Sequence, residues 1–293
     1  MINSTYFSSF DGLRLRYHTI GNGPQKIILA NGHGGTVDVW APVFEHLPSR
    51  CQIITWDYRN QHGSESTIRT PTIADHYGDL GALVKELQCD RFALAGWSLG
   101  VQVALQGYRQ HTDKIGALAL IHGAHDRLIH RVLNGRLRFL GKEALLALAK
   151  VEPALAPLYK VPIRRLLDSP AAKPLFRILG LAYDRQDYIQ AMAKEFIELD
   201  LATYLRVACD ADNHVTETWL NAVEVPVFLT VGTKDWLTPA KQIMPAFEAL
   251  QNATLQVFDG SHFPILEAPE RVAETLVRAA EITFCPSTPL KPT

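Results

Sequence analysis

Short apolar runs alternate along this chain with stretches of helical period. Residues 26–30, 51–56, 91–95, 115–121, 225–231 and 253–258 are predicted strands, most of them apolar on both faces. That pattern belongs to a parallel sheet covered by helices on each side rather than to a half-solvated antiparallel one. Between the runs, residues 39–47, 74–87, 99–110, 240–250 and 269–281 are predicted helices, with Pro239 and Pro269 at first-turn positions where a missing N–H does no harm. At the start, residues 6–10 and 13–18 read as extended segments around Asp11-Gly12, a hairpin signal. The prediction is an α/β fold, a mostly parallel eight-stranded sheet flanked by helices with an antiparallel N-terminal edge.

One stretch breaks the alternation. Residues 126–213 carry helical periodicity and five prolines (Pro153, Pro157, Pro162, Pro170, Pro174) but no convincing strand. They read as a helical insertion, which leaves residues 1–125 and 214–285 as the core and 286–293 as a frayed tail. The first part is basic: residues 127–177 hold eleven Arg and Lys against three acids, a net +8, in a chain whose total is -1. The plain explanation is the solvated face of amphipathic helices. The sharper one is attraction of an anionic substrate, an anionic lipid surface or an acidic carrier protein.

Composition narrows the class without choosing a function. With 293 residues, 47% hydrophobic, and a mean hydropathy of -0.01, the chain can bury a sizeable core. The near-zero charge gives no nucleic-acid signature. No stretch approaches the roughly 18 apolar residues of a membrane span, and Met1 to Tyr6 lack the basic and apolar regions of a secretory signal. Cys51, Cys89, Cys209 and Cys285 are scattered and form no C-x-x-C, which favours reduced thiols and a cytoplasmic setting.

Chemistry enters at Gly96-Trp97-Ser98-Leu99-Gly100, a G-x-S-x-G directly after an apolar run and before a helical one. A nucleophile elbow requires that order: the chain turns sharply at the serine, so a Cβ two positions before or after would collide. The hydroxyl then stands at the carboxyl end of a strand, where α/β sheets place their chemistry. As a bare pentapeptide this could be a tight turn that happens to contain serine. Serine needs a base, and His262 lies in Asp259-Gly260-Ser261-His262-Phe263-Pro264, just past the last strand. Asp235, in a loop just past the preceding strand, is the candidate acid to orient it, with Asp126 as a less favoured substitute. The chain order Ser, Asp, His is the one elbow hydrolases use. For the oxyanion, one N–H would come from Leu99 and one from the glycine-rich loop Asn31-Gly32-His33-Gly34-Gly35, which lacks the Lys and Ser/Thr of a phosphate cradle.

These segments resemble the α/β-hydrolase superfamily, in the serine-nucleophile branch with a helical cap between strands six and seven. The resemblance runs from about Phe7 to Ile282 and includes Trp40, Asp57-Tyr58-Arg59 and the Gly-x-x-Asp-x-Leu-x-Pro run around Asp235. It implies that the second oxyanion N–H is that of His33, that Trp97, Asn31 and Gly34 border the substrate, and that the cap shapes the pocket. Three departures stand out. Asn31 replaces the usual histidine before Gly32, Asn60-Gln61-His62 replaces Gly-His-Gly, and Val101 replaces a second glycine after the elbow.

The expected activity is hydrolysis through an acyl-enzyme of a small or medium carboxylic ester, thioester or lactone, with neither a metal nor an organic cofactor needed. The same triad could serve a C–C bond hydrolase, an amidase or peptidase, an acyltransferase or a cofactor-free perhydrolase, since the elbow does not separate them. A different class is a ligand-binding protein on the same fold, with its triad unused. The expected partner is a small-molecule substrate.

Overall fold

The computed structural model describes residues 1–131, 141–216 and 218–285. Eight strands form one sheet: β1 (Ile2–Ser8), β2 (Arg14–Ile20), β3 (Gln25–Ala30), β4 (Cys51–Trp56), β5 (Phe92–Trp97), β6 (Ile115–Ile121), β7 (Val227–Gly232) and β8 (Ala253–Phe258). Their spatial order is β1-β2-β4-β3-β5-β6-β7-β8. The first two pairings are antiparallel and the rest parallel. The hairpin turn falls at Ser9 to Leu13, with Gly12 at φ +86° and Ser9 N–H donating to the Leu13 carbonyl at 2.8 Å.

The period of two sorts the central strands into two cores. Ile28, Leu94, Leu118 and Leu229 pack with Leu80 and Leu83 of α2 (Ile73–Glu86) and Leu105 of α3 (Gly100–Gln110). Ile27, Leu29, Ala93, Ala95 and Phe228 pack on the opposite face with Val272 and Leu276 of the helix Pro269–Phe284. The predicted helix at 39–47 shortens to a 3-10 turn at Asp38–Trp40 and a single turn, α1 (Ala41–Phe44), ahead of Pro48. The strand expected from 225 starts at Val227, because Pro226 has no N–H to pair and offers only its carbonyl, to Leu118 N at 2.9 Å.

Between β6 and β7 stand α4 (Leu128–Arg131), α5 (Gly141–Asp168), α6 (Ala172–Ile178), α7 (Gln186–Glu198) and α8 (Leu201–Ala211). After β7 come α9 (Ala240–Phe247), α10 (Pro264–Glu267) and α11 (Pro269–Phe284). Helix α5 runs through Pro153, Pro157 and Pro162. Pro153 cannot donate to the Ala149 carbonyl, and Arg206 of α8 takes that place with a bond of 3.2 Å. The basic half of the insertion pairs with its acidic half: Arg164 with Glu198, Lys173 with Asp187, and Lys160 Nζ with the Leu199 carbonyl at 3.0 Å. All four cysteines are free thiols, and among the described residues no helix is long and apolar enough to cross a membrane.

Candidate active site

The turn after β5 holds Ser98 at φ +55°, in the left-handed region that a residue with a Cβ rarely occupies. Its two glycines are dictated by contact. A Cβ on Gly96 would overlap the Gly100 carbonyl, and one on Gly100 would overlap the Ala30 carbonyl at the end of β3. The turn therefore lifts the serine hydroxyl above the sheet while pressing its own backbone against the neighbouring strand.

His262, between β8 and α10, meets that hydroxyl with Nε2 at 2.9 Å from Ser98 Oγ. On its other side Nδ1 lies 2.9 Å from Asp235 Oδ2, in the loop after β7. Both the imidazole and the carboxylate are buried. Burial alone would push the Asp235 carboxyl up. The charge and hydrogen bond of His262, with help from Thr238 N–H, outweigh it and hold the carboxyl below its ordinary value. Asp126, the substitute acid, sits instead against His125 at 3.3 Å. The structure thus joins Ser98, His262 and Asp235 in one hydrogen-bonded line, an arrangement able to pass a proton from the hydroxyl to the imidazole.

Three residues that the sequence did not single out hold this line in place. Thr238 binds Asp235 twice, by its N–H to Oδ1 at 2.8 Å and its hydroxyl to Oδ2 at 2.7 Å. His122, fully buried after β6, has its carbonyl 3.2 Å from the same hydroxyl. Burial drives the His122 imidazole down to about 3, so it is neutral beside the carboxylate. Glu267 accepts from Ser261 N–H at 2.7 Å and, with its other oxygen, from Tyr183 N–H of the insertion at 2.9 Å. Thr238 and Glu267 lie close in the chain to Asp235 and Ser261, but sequence offers no signal for the contacts of His122 and Tyr183, whose partners lie 116 and 84 residues away.

The glycine-rich loop after β3 is equally bound. Asn31 Oδ1 accepts from Gly32 N–H at 2.9 Å and from the Trp40 indole at 3.0 Å, so the asparagine fixes the turn locally. Gly35 N–H donates to the Gly32 carbonyl at 2.9 Å. In a trans peptide the N–H of His33 points opposite to that carbonyl. Within the described residues neither His33 N–H nor Leu99 N–H is engaged in a hydrogen bond. The Asn60-Gln61-His62 departure is accommodated by left-handed conformations at Asn60 and His62, which turn the Gln61 side chain toward the glycine-rich loop. Arg59, buried against Asp79 and Asp11, anchors its base.

A cavity of about 290 Å³ opens over Ser98. Trp97, His33 and Leu99 line it together with Leu128, Ile129, Leu145, Met192, Leu205 and Phe263. Most of that wall is apolar, and nearly half of its residues come from the helical insertion. Trp97 lines this cavity, whereas Asn31 and Gly34 are not among its lining residues. Asn31 is spent on its own turn, and Gly34 is buried with its N–H on Gln61. Among the described residues no group of three or more His, Cys, Asp or Glu could hold a metal ion.

Similarity to known proteins agrees with this architecture. The chain is 27% identical over 271 residues to a candidate carbamate hydrolase, RutD, of Caulobacter sp. (strain K31), a match covering 89% of this chain and 92% of that protein. It is 25% identical to an uncharacterized protein of Mycobacterium bovis, covering 94% and 81% respectively. Among solved structures, an enol-lactonase from Burkholderia xenovorans superposes with a TM-score of 0.69 at 22% identity, covering 94% of this chain and 99% of that one. An esterase from Exiguobacterium antarcticum superposes at 0.72 with 18% identity and the same coverage. The family model for the alpha/beta hydrolase fold matches residues 26–269, from β3 to the start of α11 and past Ser98, Asp235 and His262 on the way. The chain belongs to the alpha/beta hydrolase fold family and is a hydrolase.

Proposed function

We propose that this protein is a serine hydrolase that cleaves a small or medium carboxylic ester, thioester or lactone through an acyl-enzyme. The observation that carries this reading is the line of two 2.9 Å contacts from Ser98 to His262 to Asp235 at the floor of an apolar cavity. His262 Nε2 takes the Ser98 proton as Oγ attacks the substrate carbonyl. The N–H groups of His33 and Leu99 receive the oxyanion. His262 returns the proton to the leaving alkoxide or thiolate, then deprotonates a water that attacks the acyl-enzyme; the acyl–Oγ bond breaks, His262 gives that proton back to Ser98 Oγ, and a carboxylic acid is released. Asp235 keeps the Nδ1–H tautomer and stabilises the imidazolium.

The helical insertion, residues 126–213, acts as the cap. Leu145, Met192, Leu205 and Ala208 lend it an apolar inner surface, which suits an aliphatic or aromatic acyl group. A cytoplasmic setting with reduced thiols goes with this reading.

Active-site labelling tests it. A fluorophosphonate probe labels the wild type on the peptide containing Ser98, and Ser98→Ala abolishes both the label and turnover of p-nitrophenyl butyrate. A folded wild type that takes no label and hydrolyses none of a panel of esters, thioesters and lactones overturns the reading.

A further inference from the structure

The side chain of Gln61 is tied on both of its atoms to the loop that would hold the oxyanion. Its Oε1 must face Gly34 N–H, 3.0 Å away, because a backbone N–H can only donate. Its amide N–H then faces His33 Nδ1 at 2.9 Å, so that nitrogen is the acceptor and the ring proton sits on Nε2. Nε2–H in turn donates to the Tyr204 carbonyl of α8 at 3.3 Å. The His33 ring also lies flat on the Tyr204 ring, with centroids 4.0 Å apart and planes at 20°. His33 is therefore clasped between the core loop after β4 and a helix of the insertion. The peptide on its C-terminal side is held by Gln61, and the peptide on its N-terminal side by Gly35.

We propose that Gln61 is a positioning residue of the oxyanion site, locking the His33 imidazole to α8 so that the His33 N–H is aimed only while the helical insertion is seated. This inference rests on the acyl-enzyme reading, in which that N–H is a donor. Its logic is geometric: donors to an oxyanion work because they are fixed in advance, and a displacement of about 1 Å can cost around a hundredfold. Gln61 occupies one of the positions where this chain departs from the usual loop sequence. A glutamine amide is also one of the few side chains that can donate to the imidazole while accepting from Gly34. The lock needs His33 neutral. Burial pushes its imidazole down to about 4 against the pull of the Tyr204 carbonyl. The other titratable or charged groups around it are His76 on α2, Arg59 on the β4 loop, and Asp200 and Tyr204 at α8.

Two substitutions test the proposal. Gln61→Leu removes both bonds and lowers kcat for p-nitrophenyl butyrate between about 10- and 100-fold, with KM within about twofold of wild type. Gln61→Glu keeps the bond to Gly34 but sets a carboxylate against His33 Nδ1, which favours the imidazolium. Below the raised His33 pKa the pair N–H···O⁻ holds the clasp. Above it two acceptors face each other and the clasp opens. The Glu variant therefore gains an alkaline limb, its kcat falling as pH rises through that value, a fall the wild-type profile lacks. Nitrogen chemical shifts of the His33 ring report the tautomer and its titration independently of turnover. Wild-type kcat in Gln61→Leu, or a Gln61→Glu profile of wild-type shape, overturns the proposal. So does a His33 ring carrying its proton on Nδ1 in the wild type. If the wild type takes no fluorophosphonate label, the acyl-enzyme reading fails instead, and the ring shifts still decide whether the clasp exists.

Discussion

Gly123 makes room for Val101. The sequence places valine where many relatives of this fold carry a second glycine after the elbow, and Val101 is fully buried beneath it. The missing volume is returned by the loop after β6, where a Cβ on Gly123 would overlap both a Val101 methyl and the Ser98 carbonyl.

Gly123→Ala should therefore destabilise the protein by about 1–3 kcal/mol, the usual range for overpacking a filled site, and depress turnover through the displaced elbow. Urea unfolding and steady-state kinetics check both. Val101→Gly in the same chain restores little, because the overlap with the Ser98 carbonyl persists. Full recovery would show that Val101 alone sets the constraint.

Thr238 carries two of the bonds that aim Asp235 at His262. In Thr238→Val the hydroxyl bond to the carboxylate is lost and the N–H bond stays. A hydrogen bond to a charged group contributes about 1.5–3 kcal/mol. A fall in kcat of about tenfold or more follows from the low end of that range, with KM nearly unchanged. Equal kcat in the two proteins would mean that His262 alone orients the acid.

Cavity shape makes the acyl preference adjustable. Ala208 of α8 faces the space over Ser98. Ala208→Leu fills part of it, so KM rises for butyl and longer p-nitrophenyl esters while acetate turnover is kept. The measurement is the kcat/KM series against acyl length, and an unchanged optimum would place the acyl chain elsewhere.

His76 gives the stability a pH dependence. It is fully buried, stacked on Tyr58 at 4.3 Å, and neither ring nitrogen has a hydrogen-bond partner among the described residues. Burial drives its imidazole down to about 3, with His33 and Arg59 adding to the effect. The unfolded chain takes up a proton near the ordinary value of about 6.5, so stability is complete above that pH and is lost as pH falls toward 3. His76→Phe keeps a stacked ring without the titration. The difference in unfolding free energy between variant and wild type should shift in the variant's favour by on the order of 2 kcal/mol from pH 8 to pH 5. A pH-independent difference would contradict this.

Much of the sheet was legible because parallel strands buried on both faces leave uninterrupted apolar runs. The central strands fall within a residue or two of their expected places. The elements that moved are those ruled by neighbours. The N-terminal strand lies earlier than its pattern suggested because Ser9 is consumed by the turn, and the helix after the glycine-rich loop is cut short. The candidate nucleophile, base and acid could be named from chain order, since loops after successive parallel strands must emerge on one edge of the sheet.

Sequence by itself determined the turn at Ser98, because only glycines at 96 and 100 let the backbone reverse there. It also determined the order of elements that brings residues 98, 235 and 262 to the same edge. Tertiary structure alone decided what surrounds them. It withdrew Asn31 and Gly34 from the pocket, gave Thr238 and Glu267 their tasks, and turned Gln61 onto His33. It also spent several of the insertion's cations on its own acids. The physical reason is range: backbone geometry and hydrophobic period act over a few residues, whereas the contacts of Gln61 with the glycine-rich loop, Glu267 with Tyr183 and Arg164 with Glu198 close only when segments far apart in the chain are packed side by side.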